Sequence, residues 1–122
     1  VDIMMVYQGA PGDLIRSAVD FGARGIVIAG AGAGATSGTQ QAAIRYATEK
    51  GVFVVTSTRT GGGRIPARRS GGTQRGNGDD EQRRRFMVGS EDLAPIKARI
   101  LLMLALTKTQ DPAELQRMFT EY

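Results

Sequence analysis

Apolar residues in the first half of the chain fall into short unbroken runs separated by stretches with helical spacing. The runs are Ile3-Met4-Met5-Val6-Tyr7, Gly25 to Ala29, and Val52-Phe53-Val54-Val55. None alternates apolar with polar residues, which is how a strand covered on both faces of a parallel sheet reads. Between the first two, Leu14, Ile15, Ala18, Val19 and Phe21 recur at a spacing that predicts one helical face. Pro11 and Asp13 suit the start of that helix, and Gly22 suits its end, where positive φ is common. Between the second and third runs, Ser37 is the expected N-cap and Gln40 its capping-box partner, with Ile44 and Ala47 on the inner face and Gly51 as the stop.

The second half repeats the pattern once. Phe86-Met87-Val88 reads as a short fourth strand. Pro95 opens a helix through Thr107 that is apolar nearly all round from Ile100 to Leu106, so burial is expected. Asp111-Pro112-Ala113-Glu114 is a strong helix start, and Leu115, Met118, Phe119 and Tyr122 form the apolar stripe that follows. Strands alternating with helices predict an α/β fold, a three-layer α/β/α domain with a small parallel sheet of about four strands. A chain of 122 residues makes one such domain, 1–122. Val1 enters the first strand with almost no lead-in, so the sequence is expected to be an excised piece of something longer.

Charge changes the picture at one place. The net charge is +4, yet residues 57–85 carry eight arginines against Asp79, Asp80 and Glu81, an excess of +5 that leaves the rest at −1. From Ser57 to Gly78 there is almost nothing apolar and nothing aromatic, so this stretch cannot offset its backbone entropy by burial. Residues 57–85 are therefore read as a flexible Arg/Gly-rich loop within the domain. An arginine-glycine segment could attract phosphates. Single-strand binders usually add aromatic platforms, however, and a solvated insertion is the plainer account. The run Asp79-Asp80-Glu81 followed by Arg83-Arg84-Arg85 is likewise read as local charge compensation rather than a metal or acid–base cluster.

Several chemistries are excluded outright. The chain has no Cys and no His, so Ser-His, Cys-His and His-metal machinery are absent. No run is long enough to span a bilayer as a helix. The Gly30-x-Gly32-x-x-Ala35 turn formally matches a loose dinucleotide fingerprint, but it follows the second strand, and no acidic residue ends the next strand to hold a ribose. Thr56-Ser57-Thr58-Arg59 is better placed, at a strand's C-terminal end, but hydroxyls without a visible base are not nucleophiles. Residue types and spacing leave three readings open: a tight packing turn, an interaction module acting through the Arg/Gly loop, and a small nucleotide-binding domain.

Four segments taken together resemble a known family. Gly25-Ile-Val-Ile-Ala-Gly-Ala-Gly-Ala-Gly34, Gly51-Val-Phe-Val-Val-Thr-Ser-Thr-Arg59, Leu93-Ala-Pro-Ile-Lys-Ala-Arg-Ile-Leu-Leu-Met-Leu-Ala-Leu106, and Asp111-Pro through Phe119-Thr-Glu-Tyr122 look like the C-terminal domain of bacterial-type L-asparaginases, in a glycine-alternating form closer to fungal members. The resemblance implies a Rossmann-like domain of an amidohydrolase that converts L-asparagine to aspartate and ammonia without a cofactor. It also implies a partner N-terminal domain and a homotetramer of intimate dimers; no membrane partner is expected, and nucleic acid is not the favoured one. In that family the catalytic threonines stand in Thr-Gly-Gly-Thr-Ile and Thr-Asp-Lys settings. Neither occurs here, so no catalytic residue is expected in this chain. What the resemblance implies instead is a substrate-facing turn that completes the neighbouring subunit's site through Gly32, Ala33 and Gly34. Ala33 stands where bacterial members carry Asn. A second contribution, from a family glutamate ahead of the fourth strand, is sought among Asn77, Asp79, Asp80 and Glu81. Ala94 stands where a hydroxyl or Asn commonly caps the long helix.

Overall fold

In the computed structural model, which describes residues 1–31, 36, 38–60, 64–65 and 78–122, four strands form one parallel sheet in the order of their sequence. They are β1 (Asp2–Met5), β2 (Gly25–Gly30), β3 (Phe53–Thr58) and β4 (Met87–Gly89). The register pairs Ile3 with Val27, Val27 with Val55, and Val55 with Val88. Five helices accompany the strands: α1 (Asp13–Asp20), α2 (Gly38–Glu49), α3 (Gly78–Phe86), α4 (Pro95–Leu106) and α5 (Pro112–Glu121).

The unbroken apolar runs divide their side chains between the two faces. Ile26, Ile28 and Val54 pack with Ile15 of α1 and Ala43, Ile44 and Ala47 of α2. Val27, Phe53, Val55 and Val88 pack on the opposite face with Ala98, Leu102 and Ala105 of α4 and Leu115 and Phe119 of α5. This is the three-layer α/β/α arrangement that the sequence pattern predicts. Every residue of β2 is buried, as a central strand with both faces covered must be.

Two close approaches set the spacing of the layers. A Cβ added to Gly25 would lie 2.6 Å from Leu102 Cδ2, so α4 rests directly on the start of β2. A Cβ added to Gly12 would lie 2.4 Å from the Thr39 carbonyl oxygen and 2.8 Å from Ala43 Cβ, where the loop into α1 meets α2. The Gly12 N–H also donates to Thr39 Oγ1 at 3.1 Å. Gly22 and Gly51 end α1 and α2 at φ of +94° and +78°, as their positions in the sequence suggest. Asp111 caps α5 by accepting from the Ala113 N–H, whereas Ala94 leaves α4 without a side-chain cap.

Four expectations are corrected. Leu14 and Phe21 are exposed, 63% and 93%, although the spacing puts them on the buried face of α1. Phe21 is the C-cap, where the chain has left the helical path, and spacing no longer sets its direction. Tyr122 is exposed for the same reason, as the C-cap of α5. The helix α4 is buried along Ala98, Leu102 and Ala105 only. Ile96, Ile100, Met103 and Leu104 face outward, because one sheet can cover only one side of a helix. Finally, the expected loop does not run to Arg85, since Gly78–Phe86 is α3, and the fourth strand starts at Met87. The acid-then-basic run that reads as local compensation is a helix signature. Acids occupy the first turn and arginines the last, matching the helix dipole, and the two groups lie four residues apart.

Two outcomes test this packing. Gly12→Ala is expected to lower the urea midpoint by the equivalent of about 1–3 kcal/mol, because a backbone carbonyl cannot move aside as a side chain can. An unchanged midpoint would mean that the loop and α2 are further apart. On α5, the Arg117 guanidinium donates to Glu114 and holds its carboxyl below the usual glutamate range. A lowered folded value means that the pair's contribution is fully present above the unfolded glutamate range and is lost as pH falls through the folded value. An NMR titration of Glu114 is expected to give a midpoint below that of a free glutamate, and one at or above it would contradict the contact.

Candidate functional site

Parallel strands present free carbonyls at their C-terminal ends, and ligands of open α/β sheets bind there. In this chain three side chains take up that edge. Arg59, just past β3, donates from Nη1 to the carbonyls of Val6 at 2.5 Å and Ala29 at 2.8 Å, while its own N–H donates to Gly30 O at 2.9 Å. One residue therefore ties together the ends of β1, β2 and β3. Gln40, buried in the first turn of α2, donates from Nε2 to Met5 O at 3.1 Å. Ser57, fully buried, donates from Oγ to Leu93 O at 2.7 Å and so holds the segment that leads into α4. The polar group Thr56-Ser57-Thr58-Arg59 does stand at the strand end, as expected. Two of its four members serve the main chain, and Thr58 Oγ1 lies 2.9 Å from Thr60 Oγ1.

The chain leaves β4 along the same edge. The Ser90 N–H donates to Thr56 O at 3.0 Å, and Glu91 and Ile65 exchange two backbone bonds of 2.8 and 3.1 Å. Glu91 has φ of +57°, a left-handed conformation uncommon outside glycine. Its carboxylate, nearly buried, pairs with the exposed guanidinium of Arg64, whose proton it holds more tightly than usual. Ser90 Oγ is fully buried and has no hydrogen-bond partner among the described residues.

The residues expected to face a substrate are placed as follows. Gly32, Ala33, Gly34 and Asn77 lie outside the described residues, as does Ser37, the expected cap. The turn is seen at its two ends, where Ala31 is exposed and Thr36 half-buried. Asp79, Asp80 and Glu81 fall in the first half of α3, and Glu81 is exposed. The next residue, Gln82, donates to the Thr48 and Glu49 carbonyls at the C-terminal end of α2. The turn after β2 leads into the other end of that helix. The twelve residues of α2 span about 18 Å at 1.5 Å each, so Gln82 meets the end of the helix opposite to Gly38. What sequence reasoning missed is the use of Arg59 and Gln40. Their sequence signal is position: an arginine directly after a parallel strand and an amide in the first turn of the next helix both reach free strand ends.

The sheet order also bears on nucleotides. Dinucleotide sites use the crevice where strand order reverses. Here the order runs β1-β2-β3-β4 without reversal, so no such crevice exists among the described strands. Among the described residues there is no cluster of three acids suited to a metal ion, and no helix is long and apolar enough to cross a membrane.

With this geometry in hand, comparison with known proteins is informative. Residues 1–119 match the model of the Glutaminase/Asparaginase C-terminal domain. The chain is 42% identical over its whole length to an L-asparaginase 2 from Bacillus subtilis, of which it covers 30%. It is 35% identical to a glutaminase-asparaginase from Pseudomonas fluorescens biotype A, of which it covers 32%. A crystal structure of a probable cytoplasmic L-asparaginase from Campylobacter jejuni superimposes with a TM-score of 0.82 at 35% identity, over 99% of this chain and 36% of that one. The chain thus spans about a third of the length of the proteins it matches.

The site's stability is open to a direct test. Ser57→Ala leaves the Leu93 carbonyl without its partner and is expected to cost about 1–3 kcal/mol in urea unfolding. A cost near zero would show that water takes the place of the hydroxyl.

Proposed function

This chain belongs to the Glutaminase/Asparaginase C-terminal domain family, and we propose that it is the C-terminal domain of an L-asparaginase-type amidohydrolase. On this reading the reaction takes L-asparagine and water to L-aspartate and ammonia, and uses no cofactor. The nucleophilic threonines belong to an N-terminal domain. This chain lends the turn from Gly30 to Ser37, with Gly32, Ala33 and Gly34 at its centre, to a site in a neighbouring subunit of a homo-oligomer. The observation that carries the reading is the match of the family model to 119 of 122 residues, together with 42% identity to an L-asparaginase.

The chemistry on the chain agrees. The strand-end hydroxyl of Ser57 and the amide of Gln40 are bonded to backbone carbonyls, and there is no histidine to activate a hydroxyl. A turn built from glycine and alanine brings main chain close to a neighbour while adding little bulk. The acidic contribution is sought at Asp79, Asp80 and Glu81 in the first half of α3, next to Gln82, which bonds to the C-terminal end of α2.

Ammonia release from L-asparagine is expected to be absent for this chain alone, and turnover in a clean preparation would overturn the assignment of catalysis elsewhere. A chimera in which this chain replaces the matching third of the Bacillus subtilis L-asparaginase 2 is expected to hydrolyse asparagine. A folded, oligomeric chimera without activity would count against the shared site.

A further inference from the structure

We propose that Arg59 is a carboxylate-binding residue, held open at the C-terminal edge of the sheet by the strands that it ties together. A guanidinium carries five N–H donors in a fixed plane. Two of them, both on Nη1, are used on the Val6 and Ala29 carbonyls. Nε and Nη2 make no hydrogen bond to a described residue, and together they form the side-on fork that matches the two oxygens of a carboxylate. The side chain is exposed, so the fork is reachable.

Charge points the same way. Both acceptors of Arg59 are neutral carbonyls, and among the described residues no Asp or Glu lies within ion-pair distance of it. The arginines that do have described ion pairs, Arg64 and Arg117, are matched to Glu91 and to Glu114 and Glu121. An arginine free to move on the surface loses side-chain entropy when it meets an anion, which is why exposed pairs contribute little. Arg59 has already lost that freedom to its two carbonyl bonds, so a carboxylate meets a guanidinium whose plane is fixed. Its N–H to Gly30 O places it at the start of the turn that leaves β2. The carboxylate has two sources: a free amino acid, or an acidic side chain of a second copy of this chain.

The test follows the Arg59 Nε–H resonance of the nitrogen-15-labelled chain, identified by its loss in Arg59→Lys. Sodium acetate, L-asparagine and sodium chloride are titrated at matched ionic strength, and the chain itself is diluted. A saturable shift with acetate or L-asparagine, absent with chloride and at Arg117, assigns the fork to a free carboxylate, with a dissociation constant on the order of tens of millimolar for a single charge-assisted pair. A resonance that ignores both additives but moves on dilution assigns it to a second copy. Equal responses to acetate and chloride with no effect of dilution, or no response to either additive or to dilution, would overturn the proposal. Only the choice of L-asparagine as a probe rests on the asparaginase reading: a response to acetate alone leaves Arg59 a carboxylate site and weakens that reading instead.

Discussion

Everything in this fold depends on covering β2 from both sides. Its six residues are all buried, and consecutive side chains point into different layers, Ile26 and Ile28 toward α1 and α2 and Val27 toward α4 and α5. A parallel strand in this position needs a helix on each face, and the chain supplies them in two ways. The connections between strands deliver one layer as they cross. The segment after β4 must then return across the sheet to supply the other. Gly25 is where the two layers come closest, because a Cβ there would lie 2.6 Å from Leu102 Cδ2 and the side chain of Leu102 would have to shift. Burial of this kind is worth roughly 25 cal/mol per Å² of apolar area, so the contact between β2 and α4 outweighs the missing cap at Ala94, which costs about 1 kcal/mol.

The same geometry explains why the edge of the sheet looks as it does. Strands covered on both faces leave their polarity at their ends, as carbonyls that must find donors. Arg59 and Gln40 are donors of this kind, and Ser57 serves the Leu93 carbonyl in the segment before α4. A residue that would look like catalytic furniture in isolation is bound to the main chain instead. That is a sensible division of labour for a domain read as lending shape to a site whose nucleophiles are elsewhere: rigid strand ends fix where the segment after β2 begins.

How much of this was legible in the sequence depended on which force set each element. For β2, β3 and α2 the pattern is a good guide, because burial on two faces leaves an unbroken apolar run and burial on one face leaves a period: Ile44 and Ala47 are buried where spacing predicts. The expected strand Ile3-Met4-Met5-Val6-Tyr7 differs, since β1 is Asp2–Met5 at the edge of the sheet and leaves Met5 and Tyr7 exposed. Phe21 and Tyr122 were misplaced because each lies at a helix end, where the period stops being a guide. The outward face of α4 was misread because hydrophobicity all round a helix says that it prefers burial, while the number of layers present decides how much burial it gets. The helix α3 was missed because its signal is electrostatic and it has almost no apolar period to find. The family resemblance was legible from four separated segments, and it named the domain without naming what the edge does, since Arg59 acts through carbonyls that no motif records.

One departure from the expected family pattern lies in the sequence just after β2. Where bacterial relatives are expected to offer an amide, this chain offers the methyl group of Ala33. An amide can both donate to and accept from a substrate, and a methyl can do neither. A site that lost such a contact would bind a polar ligand less well unless another donor lay within reach. Arg59 is anchored one residue before Ala31, at the root of the same turn, and its charge is not matched by any described acid. An amide is indifferent to charge, whereas a guanidinium prefers a carboxylate strongly over a neutral group. On the proposal above, a carboxylate meets the base of this turn, where the guanidinium is already fixed by the Val6 and Ala29 carbonyls.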